Sequence, residues 1–99
     1  MARKSMTRTT RTARKRIEFV LEDAPGRNVA VAGTFNDWKP AKLLTDKTGT
    51  GVYVAVMLLE PGVYEYKFVV DGEWKLDERN PNFAPNSLGT LNSVLHVED

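Results

Sequence analysis

Gly62-Val63-Tyr64-Glu65-Tyr66-Lys67-Phe68-Val69-Val70-Asp71-Gly72-Glu73-Trp74-Lys75-Leu76 is the stretch that decides the fold. Tyr64, Tyr66, Phe68 and Val70 alternate with Val63, Glu65, Lys67 and Val69, the period of a strand with one apolar face. Asp71-Gly72 is a two-residue hairpin signal, because both central positions of a type I′ turn need positive φ. The chain is therefore expected to reverse there and return along Glu73–Leu76. With that loop, Val70 faces Glu73, Val69 faces Trp74 and Lys67 faces Leu76. Opposite side chains share a sheet face, so Trp74 stands beside Val69 with Lys67 on its diagonal. That is the face turned away from Tyr64, Tyr66 and Phe68, the expected core face. A slip of one residue would reverse the assignment.

Working outward, the same grammar recurs. Ile17, Phe19 and Leu21 alternate with Arg16, Glu18, Val20 and Glu22. Pro25-Gly26 turns the chain into a short strand over Asn28–Gly33. Gly49-Thr50-Gly51 opens a β-rich run, Val52–Leu59. Glu60-Pro61-Gly62 has Pro at i+1 and Gly at i+2, as a type II turn requires. A long loop, Asp77–Asn92, carries Pro81, Pro85 and Gly89, and Ser93–Glu98 closes as a last strand. No segment reads as a helix of ordinary length. Many short strands separated by turn signals predict an all-β, antiparallel β-sandwich.

Ninety-nine residues suit one domain with one core. The absence of cysteine removes disulfides and thiolate metal sites. A formal charge of +1 hides an asymmetry. Arg3, Lys4, Arg8, Arg11, Arg14, Lys15 and Arg16 lie in residues 1–16, which hold no acid. The rest carries all 13 acids against the other seven basic residues, a balance of −6. The chain thus divides into a basic arm, 1–16, and a mildly acidic module, 17–99. The arm has no apolar core of a secretory signal, and no stretch is long enough to span a membrane. A charged tail of this composition reads as solvated and disordered. Its sharper reading is contact with nucleic acid or another anionic surface, although it lacks aromatic residues for stacking on single strands.

Catalytic chemistry finds no purchase. His96, the one histidine, reads as a strand residue without a nucleophile signature near it. Asp71/Glu73 and Asp77/Glu78 read as solvated turn acids; glycosidase carboxylates must flank a cleft about 5–9.5 Å apart. No glycine-rich phosphate loop opens a helix. The expectation is a protein that is not an enzyme and has no cofactor and no metal site.

Binding is better supported. Trp38 lies in Phe35-Asn36-Asp37-Trp38-Lys39-Pro40 and Trp74 in Asp71-Gly72-Glu73-Trp74-Lys75, both polar turn-forming stretches. A tryptophan on a turn offers a flat apolar face to a ligand, and sugar rings present C–H faces that lie on such rings. Lys67, Asn36, Thr90 and Asn92 could meet the hydroxyl rims. Taken singly, each tryptophan reads equally as a core residue, Lys67 as a solvated strand lysine, and Thr90 and Asn92 as loop residues.

Taken together, Val31-Ala32-Gly33-Thr34-Phe35-Asn36-Asp37-Trp38, the stretch Gly62 to Trp74, and Leu88-Gly89-Thr90-Leu91-Asn92-Ser93-Val94 resemble the glycogen-binding module of the AMP-activated protein kinase β subunit. This is carbohydrate-binding module family 48, also found as the early-set domain of isoamylases and branching enzymes. The likeness runs in order from about Ile17 to Val97 and leaves out the arm. It implies an immunoglobulin-like, early-set β-sandwich that binds α-1,4-linked glucans such as glycogen, starch fragments or cyclodextrins without catalysis. It implies a platform of Trp38 and Trp74, a lysine on the neighbouring strand at Lys67, a wedge at Leu88, and polar contacts from Thr90 and Asn92.

The partner expected is an α-glucan, glycogen or a maltooligosaccharide, and the compartment expected is cytoplasmic. No catalytic barrel or kinase-interacting region follows, so the module is expected to stand alone or act through a partner. An alternative is a regulatory module that keeps the fold and docks onto a glycogen-metabolising enzyme or kinase subunit. A third reading is nucleic-acid contact through the arm.

Overall fold

A computed structural model describes residues 13–40 and 42–99; the expectations for the arm fall largely on residues 1–12, outside the described residues. Among the described residues there are eight strands: β1 (Lys15–Glu22), β2 (Val29–Gly33), β3 (Lys42–Leu43), β4 (Val52–Leu59), β5 (Gly62–Val70), β6 (Glu73–Lys75), β7 (Phe83–Pro85) and β8 (Leu91–Val97). A single 3₁₀ turn, Thr34–Asn36, interrupts them. Among the described residues the fold is all-β, and every strand pair is antiparallel.

One sheet is the pair β1–β4, running from Lys15↔Leu59 to Glu22↔Val52. The other follows the order β3-β2-β5-β8-β7, with β6 paired to β5. Alternation decides which side chains meet between them. Phe19, Tyr53, Ala55 and Leu59 come from the first sheet; Val29, Val31, Tyr66, Phe68, Val70 and Val97 come from the second, all buried in one cluster. Phe19 stacks edge-on against Tyr66 across the gap, ring centres 5.2 Å apart. Phe68 and Val31 are wholly buried. The result is the sandwich that the alternation predicts, with the core face of β5 turned inward and the Lys67–Val69 face turned out.

The decisive hairpin is in register: Val70 pairs with Glu73, Val69 with Trp74 and Phe68 with Lys75. Asp71 and Gly72 have φ of 49° and 86°, the two positive values of a type I′ turn. Asp71 is also tied to the start of β2. Its N–H donates to Asn28 O at 2.8 Å, and its Oδ1 accepts from the Asn28 N–H at 2.8 Å.

Several local expectations differ, among them the short strand, which begins at Val29 rather than Asn28. The hairpin ends at Lys75, one residue before Leu76. Gly62 has φ of 155°, far from the value near +80° of a type II turn; it is already in β5, opposite Val97. The loop 77–92 contains β7, where Phe83–Pro85 pairs with Leu91–Ser93. The last strand accordingly begins at Leu91 rather than Ser93.

Candidate functional site

The outer face of the larger sheet carries the site. The register Tyr66↔Ser93 brings Lys67 on β5 and Asn92 on β8 into neighbouring positions, and Trp74 sits on β6 opposite Val69 of β5. Two loops complete it. Trp38, Lys67, Trp74, Asn86, Ser87, Leu88, Thr90 and Asn92 line one open, mainly apolar groove of about 490 Å³. Trp38, Trp74, Lys67, Leu88, Thr90 and Asn92 are thus brought to one place, and Asn36 is not among them. Trp74 is 48% exposed and Leu88 86% exposed, whereas Trp38 is half-buried.

Trp38 reaches the groove by an unusual backbone. Asp37 and Trp38 have φ of 56° and 61°, a left-handed conformation that is an outlier for a bulky residue. Two contacts hold it: the Trp38 N–H donates to Gly33 O at 2.9 Å, and Asn36 clamps the turn from inside. Asn36 Oδ1 accepts from the Gly33 N–H at 2.9 Å, and its Nδ2 donates to Val31 O at 3.3 Å. Asn36 therefore orders the turn that presents Trp38 and does not line the groove, which corrects its reading as a hydroxyl partner. Gly33 has to be glycine: a Cβ there would run into the Glu65 carbonyl and lie 2.8 Å from Tyr66 Cβ.

On the opposite bank, Asn86-Ser87-Leu88-Gly89 forms a tight turn in which the Gly89 N–H donates to Asn86 O at 3.2 Å. The Asn86 N–H donates to Thr90 O at 2.9 Å, closing the loop that holds Leu88 out into solvent. Lys67 Nζ donates to Thr90 Oγ1 at 2.9 Å. Among the described residues Lys67 has no carboxylate partner within 4.0 Å, so its ammonium charge is available to a ligand. Asn92 is only 7% exposed; it borders the groove from below rather than standing at its rim.

Asn86 is the residue that the sequence reading missed, and a signal for it existed. Asn at the first position and Gly at the fourth is a type I turn signature, present in Asn86-Ser87-Leu88-Gly89. Below the groove, Tyr66 donates to Asp77 Oδ2 at 2.6 Å. Burial first, then the bond to Asp77, raises the Tyr66 phenol well above its ordinary value. Its role is to pin the 77–80 segment to β5.

Other features lack a comparable constellation. A depression of about 600 Å³ between Leu21–Asp23 and Lys75–Arg79 has both its cations already paired: Lys75 with Asp23 at 3.7 Å and Arg79 with Glu22 at 3.4 Å. His96 lies exposed on β8 opposite Val63. Among the described residues no group of three or more His, Cys, Asp or Glu is placed to hold a metal ion. Nor, among them, is any helix long and apolar enough to cross a membrane.

A small antiparallel sandwich with two tryptophans and an unpaired lysine in one open groove defines a ligand-binding module. Residues 17–99 match the family described as the glycogen recognition site of AMP-activated protein kinase, and the chain belongs to that family, a non-catalytic carbohydrate-binding module. Over 73 residues, 74% of the chain, it is 37% identical to the 5'-AMP-activated protein kinase subunit beta-2 of Homo sapiens, covering 26% of that protein. Over the same share it is 34% identical to subunit beta-1 of Rattus norvegicus, again covering 26% of the relative. The beta-1 subunit of Sus scrofa is also 34% identical, with 57% of its length covered. The chain spans between a quarter and three-fifths of the length of these relatives.

Proposed function

We propose that this chain binds α-1,4-linked glucans, stacking glucose units on Trp38 and Trp74. In this reading Lys67, Thr90 and Asn92 make the polar contacts, and Leu88 wedges against a curved chain. The observation that carries it is the single groove shared by both tryptophans, Lys67 and Leu88, with Leu88 held almost fully in solvent. A leucine stabilised in that position by a dedicated loop gains nothing from folding and needs another reason.

If two tryptophans and their sugar faces bury about 200–300 Å² of apolar surface, transfer contributes roughly 5–7 kcal/mol. Immobilisation and the stripping of water from hydroxyls remove much of this. Short oligosaccharides should therefore bind with dissociation constants between high micromolar and millimolar, on the order of −4 to −6 kcal/mol. A polymer with overlapping sites binds more tightly. This reading also carries cytoplasmic residence, where glycogen is kept.

The test is electrophoresis in native gels with and without glycogen. The chain should be retarded by glycogen, and free maltoheptaose should release it. Equal mobility in both gels would refute the reading.

A second reading is docking onto a kinase subunit or glycogen-metabolising enzyme. The relatives are named as kinase subunits, and Leu43, Val52 and Leu58 stand exposed. A co-purifying partner with no glucan retardation would favour it.

A further inference from the structure

The polar residues of the groove form one hydrogen-bonded chain whose direction is fixed at both ends. At one end, Asn86 Oδ1 accepts from the backbone N–H groups of Leu88 at 2.9 Å and Thr90 at 3.1 Å. A backbone N–H can only donate, so that atom is the amide oxygen and Nδ2 faces the other way. There Nδ2 donates to Thr90 Oγ1 at 2.7 Å and to Asn92 Oδ1 at 2.9 Å. At the other end, Asn92 Nδ2 donates to Glu65 Oε1 at 2.9 Å. An ionised carboxylate only accepts, so Glu65 demands the same orientation of Asn92 that Asn86 does.

Thr90 shows the consequence. Its Oγ1 receives hydrogen bonds from both Asn86 Nδ2 and Lys67 Nζ, which fills both lone pairs of a hydroxyl. Its own O–H has no acceptor among the described residues and can act only as a donor. Lys67 keeps two of its N–H groups free, since an ammonium has three and one is spent on Thr90. The corner made by Thr90 and Lys67 is therefore a cluster of donors.

We infer that Asn86 and Glu65 are positioning residues that fix this polarity, so that the Thr90–Lys67 corner recognises a ligand oxygen as an acceptor and not as a donating hydroxyl. The inference rests on the glucan reading for its ligand, a hydroxyl oxygen of one glucose unit. Neither positioning residue has to touch the sugar. Asn86 acts through Thr90 and Asn92, and Glu65 acts through Asn92.

Asn86→Asp tests it. The variant keeps an acceptor for the Leu88 and Thr90 N–H groups, so the loop can close, but it replaces the donating Nδ2 with a carboxylate oxygen. The Thr90 hydroxyl then turns inward to donate, and the corner offers the ligand a lone pair instead. The whole chain, wild type and variant, is titrated by NMR with maltose and with analogues in which one hydroxyl at a time is replaced by hydrogen or fluorine. Fluorine accepts weakly and cannot donate; hydrogen does neither.

For wild type, one position should distinguish them: the fluoro analogue binds within about threefold of maltose, and the deoxy analogue about tenfold more weakly. In Asn86→Asp the maltose dissociation constant should rise about tenfold, and the distinction at that position should vanish; the melting temperature should fall, because the new carboxylate oxygen faces the buried Asn92 Oδ1, so the titrations are run well below it. A purely structural role would weaken every analogue alike. That result, or unchanged binding by the variant, overturns the inference.

The free protein supplies a separate reading. The side-chain NH₂ protons of Asn86 and Asn92 should exchange slowly with solvent in wild type; fast exchange would overturn the fixed polarity irrespective of sugar. Slow exchange with no response to maltoheptaose would instead overturn the glucan reading and leave the donor corner standing.

Discussion

Replacing Trp74 by alanine separates what this residue does for the ligand from what it does for the fold. Trp74 is 48% exposed. A tryptophan side chain carries up to about 250 Å² of surface, so about 120 Å² is open to a ligand and a similar area is covered by protein. A glucose ring that covers half to all of the open part buries about 60–120 Å². At about 25 cal/mol per Å² this contributes roughly 1.5–3 kcal/mol, a factor of about 10–150 in affinity. The covered half lies across the hairpin from Val69, itself 8% exposed. Its loss should cost about 2 kcal/mol, below the 3–5 kcal/mol of a fully buried tryptophan, which lowers the melting temperature by roughly 8–16 °C in a domain of this size. The assay is retardation across a series of glycogen concentrations, run well below the mutant's melting point, with circular dichroism melts beside it. Trp74→Phe, which keeps a flat face, should retain most of both properties. A folded Trp74→Ala variant retarded as strongly as wild type would refute the platform; an unchanged melting temperature would refute the division of its surface.

Other perturbations follow from single contacts. Asn36→Ala removes the bonds to Gly33 N–H and Val31 O; it should cost about 1–2 kcal/mol in urea melts and weaken glycogen retardation by freeing Trp38, although it does not line the groove. Phe68→Ala, at a wholly buried position, should cost about 3–5 kcal/mol and leave much of the chain unfolded at 37 °C by circular dichroism. The Asp71 carboxyl is held below its ordinary value of 3.8, first by the Asn28 N–H and then by the Arg27 guanidinium. A depressed carboxyl stabilises the fold above its unfolded value, and that contribution is lost as pH falls through the folded value. The melting temperature should therefore drop below pH 3.8 more steeply for wild type than for Asp71→Asn; parallel curves would remove Asp71 from acid unfolding.

The hairpin was legible because two independent local signals agreed: strict alternation along Val63–Val70 and a dipeptide that tolerates positive φ at both positions. Strand β7 was not, because Pro81 and Pro85 flank a short segment that by itself reads as loop; Pro85 is tolerated only as the last residue of the strand, opposite Leu91. Pro61-Gly62 misled in the other direction, since the pair suits a turn, yet Gly62 already pairs with Val97. The residues that gather in the groove were readable from the motifs, and the bonds among them were not. Asn92 is buried by partners six and 27 positions away, Asn86 and Glu65, and no local pattern announces contacts at such separations. The turn signature at Asn86 was local and available, and following it would have led to the hub of the groove.

The two tryptophans of the groove are held by opposite means, and this leads to one more expectation. Trp74 follows a low-energy type I′ turn, whereas Trp38 sits in a left-handed conformation at φ 61° that costs on the order of 1–2 kcal/mol for a residue with a Cβ. Asn36, Gly33 and the buried strands beneath sustain that strain, and the sandwich core offsets it. Removing the indole by Trp38→Ala loses its contacts but keeps the strain. Trp38→Gly loses the same contacts and releases it, against about 0.4–1 kcal/mol of added freedom in the unfolded chain. Glycine should therefore be the more stable replacement by about 0.5 kcal/mol, the reverse of the usual order, while both variants lose glycogen retardation. Paired urea melts decide it. If the alanine variant proves more stable, the turn relaxes once the indole is gone. The positive φ would then belong to the side chain's own packing, not to a backbone held in place to present it.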